Sequence, residues 1–203
     1  MCCTSLPAGD QKLVQIVDAA LADATRRGGS WIVCRPGCTQ CCFGVFSISQ
    51  LDAARLRHGL QDLEARDAQR ADAIRKRARA AIARLSAAYP GDPVTGILAD
   101  DEEAEARFED FANDEPCPVL NPTTGTCELY QWRPITCRAF GPPVRSEDGL
   151  GICELCFQGA SDEEIAECEM EVDPGDLESV LLKEMEEAGA PSARTIIPFA
   201  VSD

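Results

Sequence analysis

The chain has 203 residues, enough for one compact core, and 35 acidic against 19 basic side chains give it a formal net charge of -16. That balance repels phosphate backbones and anionic lipid surfaces, which argues against nucleic acid and membranes as partners. The start, MCCTSLPAGDQKLVQIVDAALADATRRGG, is interrupted by Asp10, Lys12, Asp18 and Asp23 where a leader would be apolar, and no stretch approaches the about 18 apolar residues of a spanning helix.

The expectation is a cytoplasmic protein forming a single domain over 1–203, with 60–90 as a helical insertion or arm. In a reducing cytosol, the 12 cysteines point to metal binding rather than to structural disulfides.

In chain order, Leu13, Ile16, Val17, Ala20, Leu21 and Ala24 recur at three- and four-residue steps, which predicts an amphipathic helix from Gln11 to Arg27, stopped by Gly28 and Gly29. SWIV then leads into a first group of cysteines, and FGVFSIS leads out of it with Val45, Phe46 and Ile48 as anchors. Ser49 and Asp52 read as a capping pair for a helix ending at His58, before Gly59. Leu60, Leu63, Ile74, Ala78, Ile82 and Leu85 then mark the apolar stripe of a long helix ended by Pro90 and Gly91. The acidic run ADDEEAEARFEDFANDE reads as a solvated helix face.

Composition changes at CPVLNPTTGTCELYQWRPITCRAFGPP, where NPTTGT is turn chemistry and CELYQW suits a short strand or a helical turn. Ser161 with Glu164 forms a capping box for a helix to about Met170. Asp173 caps a last helix that begins at Pro174 and is closed by Gly189, and the tail TIIPFAVSD is apolar enough to dock. The fold class is mainly α, with helices packed around an irregular cysteine-rich core and a short β-ribbon near Cys127.

Nine cysteines fall in three arms: Cys34, Cys38, Cys41 and Cys42; Cys117, Cys127 and Cys137; and Cys153 and Cys156. The spacings Cys38-x2-Cys41 and Cys153-x2-Cys156 let two sulfurs of one tight loop converge on a metal centre. Cys41 and Cys42, being adjacent, fit more easily on different atoms of a polynuclear cluster, or as one ligand and one neighbouring thiol. With a single histidine, His58, read as a surface residue near a helix end, the donor set is all sulfur. Such a set suits an iron-sulfur cluster or zinc, with monovalent copper as a softer alternative. Arg133 and Arg138 flank Cys137, and Arg35 follows Cys34; these are the candidate cations beside an anionic centre. Cys2, Cys3 and Cys168 are set aside as ligands.

CRPGCTQCCFG followed by CPVLNPTTGTCELYQWRPITCRAFG resembles the CxxCxxCC cysteine-cluster family, the YkgJ-like proteins, described as zinc- or iron-chelating and often as iron-sulfur proteins. The resemblance covers roughly Trp31 to Ile48 and Glu115 to Gly159. It implies that Cys38, Cys41 and Cys42 carry the first motif and Cys117, Cys127 and Cys137 the second, with RPITCR as an Arg-Pro signature. Cys34 departs from the pattern, because three residues rather than two separate it from Cys38. The function expected is that of a [4Fe-4S] protein of redox or accessory role serving a protein partner, with a zinc-binding interaction protein as the alternative. Relatives that are flagellin lysine methylases make a metal-assisted transferase a third reading.

Overall fold

A computed structural model describes residues 6–146 and 149–203; Cys2 and Cys3 lie outside them. In chain order the helices are α1 (Asp10–Gly28), α2 (Gln50–Arg66), α3 (Ala68–Leu85), α4 (Glu102–Glu109), α5 (Ile135–Ala139), α6 (Asp162–Glu167), α7 (Leu177–Glu187) and α8 (Ile197–Ala200). The strands are β1 (Ser47–Ile48), β2 (Gly91–Asp92), β3 (Ile97–Leu98), β4 (Val144–Ser146), β5 (Gly149–Gly151) and β6 (Thr195–Ile196). They form three antiparallel pairs, β1 with β6, β2 with β3 and β4 with β5. The architecture is mainly α, as the periodicities predict.

The helix after Ser49 behaves differently from the expectation at two points. Ser49 does cap it, accepting the Asp52 N–H at 3.2 Å, but the helix runs through His58 and Gly59 to Arg66. A buried Gly59 lets Trp132 lie directly on the helix: a Cβ there would sit 2.5 Å from Trp132 Cδ1 and 2.6 Å from its Cβ. The glycine serves contact rather than termination. The break comes at Asp67, whose φ of -154° is extended and whose carboxylate accepts the Arg70 N–H at 3.1 Å, starting α3. An Asp side chain offers the first amides of a new helix an acceptor they otherwise lack.

α2 and α3 pack against each other and against α8, burying Leu56, Leu60, Leu63, Ile74 and Val201 in one cluster; Trp132, Cys117, Cys127 and Cys137 are packed on that cluster. A second cluster joins α1, α2, α5 and α7 through Leu13, Val17, Leu51, Ile135, Leu181 and Met185. The tail docks as expected, with Ile196 paired to Ser47 across β6 and β1 before the chain turns into α8. Ser161 and Glu164 form the predicted reciprocal capping box at α6. α7 starts later than predicted: Asp173 still reaches its first turn, accepting the Glu178 N–H at 2.7 Å, but Asp176 occupies the cap position.

Candidate metal centre

The first cysteine segment is tied to the second by a short antiparallel contact. Cys117 N–H donates to the Cys42 carbonyl at 2.8 Å, Gly44 N–H donates to the Glu115 carbonyl at 3.0 Å, and Phe43 pairs with Pro116. Cys41 and Cys42 sit in a single 3-10 turn, Gln40–Cys42. In this tight turn the neighbouring Cys42 thiol is the largest influence on Cys41.

Cys117 and Cys127 lie on the two limbs of the NPTTGT turn. Asn121 Oδ1 accepts the Thr123 and Thr124 N–H groups at 2.9 and 3.1 Å, and Gly125 adopts φ 66° to close the turn. Leu120 and Cys127 then form an antiparallel bridge, the whole of the ribbon expected there. At the foot of this loop Glu128 is almost buried, held by Arg70 at 3.0 Å and by Arg77. Cys137 is on α5, whose first amide, Ile135 N–H, donates to Asp52 Oδ1 at 3.0 Å.

The sulfurs fall into two groups. Cys137 is influenced by Cys117, Cys41 and Cys127, and Cys117 and Cys127 are each influenced by Cys41, so thiols of the first and second arms act on one another. Cys34 is instead influenced by Cys156, then by Cys153 and Cys38.

Backbone amides are aimed at several sulfurs. The Val119 and Leu120 amides favour the charged form of Cys117, the Leu129 amide that of Cys127, and the Leu155 and Cys156 amides that of Cys153. Such contacts stabilise a thiolate. Burial works the other way: it pushes Cys117 up to about 12 and raises Cys127 and Cys153, and it lifts Cys137 well above the ordinary thiol range. Cys41 is raised first by its hydrogen bond with Cys42 and then by burial. Cys34 is pushed up to about 12 by burial and by Cys156. Closely packed thiols in apolar surroundings resist ionisation by themselves, and a bound cation supplies the missing stabilisation.

Arg133 lies close enough to Cys41 and Cys127 to favour their charged forms, with its guanidinium stacked 3.9 Å over the Tyr130 ring. Arg138 does not share this position. Its buried guanidinium donates to both Asp18 oxygens at 2.8 Å, to the Arg133 carbonyl at 3.2 Å and to the Gln131 carbonyl, which fixes the turn before Cys137. Arg35 is exposed. His58 is also exposed, its ring tilted against Trp132 at a centroid distance of 4.6 Å, in the middle of α2 rather than at a helix end.

Two residues acquire roles that the pattern did not show. Asp52, read as a helix-start carboxylate, is turned inward to Arg55, which also binds Asp10 at 2.6 Å; burial pushes Asp52 up to about 6 against the pull of Arg55. The Asp52–Arg55 spacing of three along one helix was the available signal. Cys168, placed on a polar helix by sequence, is buried beside Cys153 and Cys156 in a small cluster with Phe157.

Among the described residues, no three His, Cys, Asp or Glu side chains are already drawn around one point as a bound ion would hold them. The fit to a metal therefore rests on the donor chemistry: two sets of neighbouring thiols, with backbone N–H groups on their sulfurs and Arg133 beside one set. These features define a helical cysteine-cluster protein of metal-binding type. Over residues 33–157, a span holding all nine grouped cysteines, the chain matches the CxxCxxCC family model, described as a "putative zinc- or iron-chelating domain", and the chain belongs to that family. No curated protein and no solved structure matches it significantly. No helix among the described residues is long and apolar enough to cross a membrane.

Proposed function

We propose that this protein carries an iron-sulfur cluster on Cys41, Cys117, Cys127 and Cys137, with Cys42 as the neighbouring thiol, and acts as an electron-carrying or accessory protein. What supports this reading is the mutual influence of Cys41 in the first arm and Cys117, Cys127 and Cys137 in the second, with backbone N–H groups favouring the thiolates of Cys117 and Cys127. Iron-sulfur clusters are held by cysteine thiolates, and their potentials respond to hydrogen bonds on sulfur and to nearby charge. A bound cluster would supply one-electron chemistry; Arg133 would offset its negative charge, and the Asn121 turn and α5 would hold the donor sulfurs in place.

Phe43, Tyr130 and Phe140, each near a donor cysteine in sequence, are exposed by 52, 55 and 41%. Each offers an exposed apolar side chain that a protein redox partner would cover.

Substitution across the arms tests the reading. Cys41→Ser, Cys117→Ser and Cys137→Ser, each purified anaerobically, should lose iron and acid-labile sulfide together. Full iron and sulfide in any one of the three variants would remove that residue from the centre, and full content in all three would end the proposal.

A further inference from the structure

We infer that the cleft between the C-terminal ends of α3 and α4 is a binding site for a small zwitterion with an apolar body, of the aromatic or branched amino-acid type. Its residues lie outside the cysteine segments, so the inference stands whether or not the metal centre holds a cluster. The cleft has a volume of about 630 Å³, within the range of small-molecule sites. Arg84, Leu85, Arg107, Asp110, Phe111 and Ala112 line it, and the small side chains of Ala87 and Ala88 keep it open.

The cleft presents charges of both signs without pairing them. α4 carries Glu102, Glu103, Glu105 and Glu109 around its one basic residue, Arg107. Glu103 and Asp110 stand four and three positions from Arg107, the spacings at which helical side chains meet. Yet Arg107 donates to the Tyr89 carbonyl at 3.1 Å and joins no carboxylate among the described residues. The Asp110 carboxylate accepts no hydrogen bond among them either. Arg84 differs, being held by Glu115 at 2.5 Å. One guanidinium and one carboxylate therefore remain available in the cleft. The two helix ends add the partial negative charge of their last carbonyls, which favours an ammonium group.

The apolar side is equally defined. Phe111 and Leu85 belong to a separate buried cluster with Tyr89, Leu98 and Ile196. The Phe111 ring is set edge-on to Tyr89 at a centroid distance of 5.8 Å and lies 6.0 Å from Phe108, so it offers a fixed surface. Ala112 beside it holds φ 56°, a left-handed conformation that is costly for a non-glycine residue and that gathers at functional sites. Its carbonyl accepts the Val45 N–H at 3.2 Å and the Glu115 N–H at 3.1 Å, a turn that brings Glu115 back to Arg84. An α-amino acid matches all three features. Its carboxylate suits the Arg107 fork, its ammonium suits Asp110 and the helix ends, and its side chain suits Phe111 and Leu85.

The test titrates the full chain, purified anaerobically, with L-phenylalanine, hydrocinnamate and phenethylamine, followed by calorimetry and ligand-observed NMR. L-phenylalanine should bind saturably, and each analogue, lacking one of the two charged groups, should bind about tenfold more weakly. Arg107→Gln and Asp110→Asn, both at exposed positions, should each weaken L-phenylalanine binding about tenfold while iron and sulfide content stay unchanged. Glu105→Gln, on the same helix but outside the cleft, should leave binding unaltered. Absence of saturable L-phenylalanine binding overturns the inference, as does equal affinity for either analogue or full binding by Arg107→Gln. Should a variant fail to fold, the comparison of the three probes on the unaltered chain still decides. Iron and sulfide content is read separately, so failure here leaves the reading of the cysteine centre untouched.

Discussion

Replacing Gly59 by Ala should destabilise the protein, although the same change in an ordinary helix would stabilise it. In a helix interior Ala is favoured over Gly by about 1 kcal/mol. Here the new methyl would stand 2.5 Å from Trp132 Cδ1 and 2.6 Å from Trp132 Cβ, atoms near the root of the side chain that cannot move without the backbone of the 130–132 turn. Overpacking of this kind costs about 1–3 kcal/mol. Taking the upper end because Cβ and ring are both struck, and subtracting the helix gain, leaves a net loss of about 2 kcal/mol. For a chain of this size that corresponds to a melting temperature lowered by about 4–8 °C.

The assay is thermal unfolding of the full chain followed by far-ultraviolet circular dichroism, with metal content measured in parallel. Trp132 packs on the cluster that carries Cys127 and Cys137 and directly precedes Arg133, so a displaced turn should also lower metal retention. In a Trp132→Ala background, which removes the ring but keeps the Cβ 2.6 Å away, the penalty should shrink without disappearing. A Gly59→Ala chain that melts at or above the parent temperature would refute the close-contact explanation for the glycine.

Asp52→Ala removes the acceptor for Ile135 N–H and leaves Arg55, 1% exposed, with Asp10 as its remaining ion-pair partner; the expected cost is about 3–5 kcal/mol, read as a lower denaturant midpoint. Asp52→Asn, which can still accept from Ile135, should cost less. Tyr89 donates its hydroxyl to the Gly96 carbonyl at 2.7 Å, and burial raises its ionisation above the ordinary phenol value of 10.0. Above that value the unfolded chain loses a proton that the folded chain keeps, so this residue's contribution to stability falls as pH rises. In Tyr130→Phe, where Tyr89 is the remaining tyrosine, phenolate absorbance should rise only above the ordinary range; a normal titration would show that the ring is not held as described.

Much of this organisation was legible because local chemistry agreed with tertiary context. Leu13, Val17 and Ala24 repeat at helical spacing and are buried, Ser161 and Glu164 cap each other, and the Asn121 turn folds as its composition dictates. Gly59 misled because a glycine inside a helical pattern reads as a stop unless the aromatic ring packed on it, 73 positions later at Trp132, is known. Asp67 supplied the real break from inside a stretch whose apolar stripe continues on both sides.

The cysteine spacings singled out candidate donors but not their grouping. Cys38 and Cys41 share a familiar x2 spacing, yet Cys34 is influenced by Cys156, Cys153 and Cys38, whereas Cys41 acts on Cys117, Cys127 and Cys137. That division follows from which apolar cluster each segment joins, a long-range property that spacing alone does not carry. Arg138 was similarly ambiguous, since its place beside Cys137 in the chain does not show that Asp18 takes its guanidinium.

The most direct test of the central claim is the content of the unaltered chain purified without oxygen. The account predicts a brown protein with broad visible absorption and iron and acid-labile sulfide in equal amounts, about four of each per chain. A colourless protein carrying zinc, with no sulfide, would contradict it.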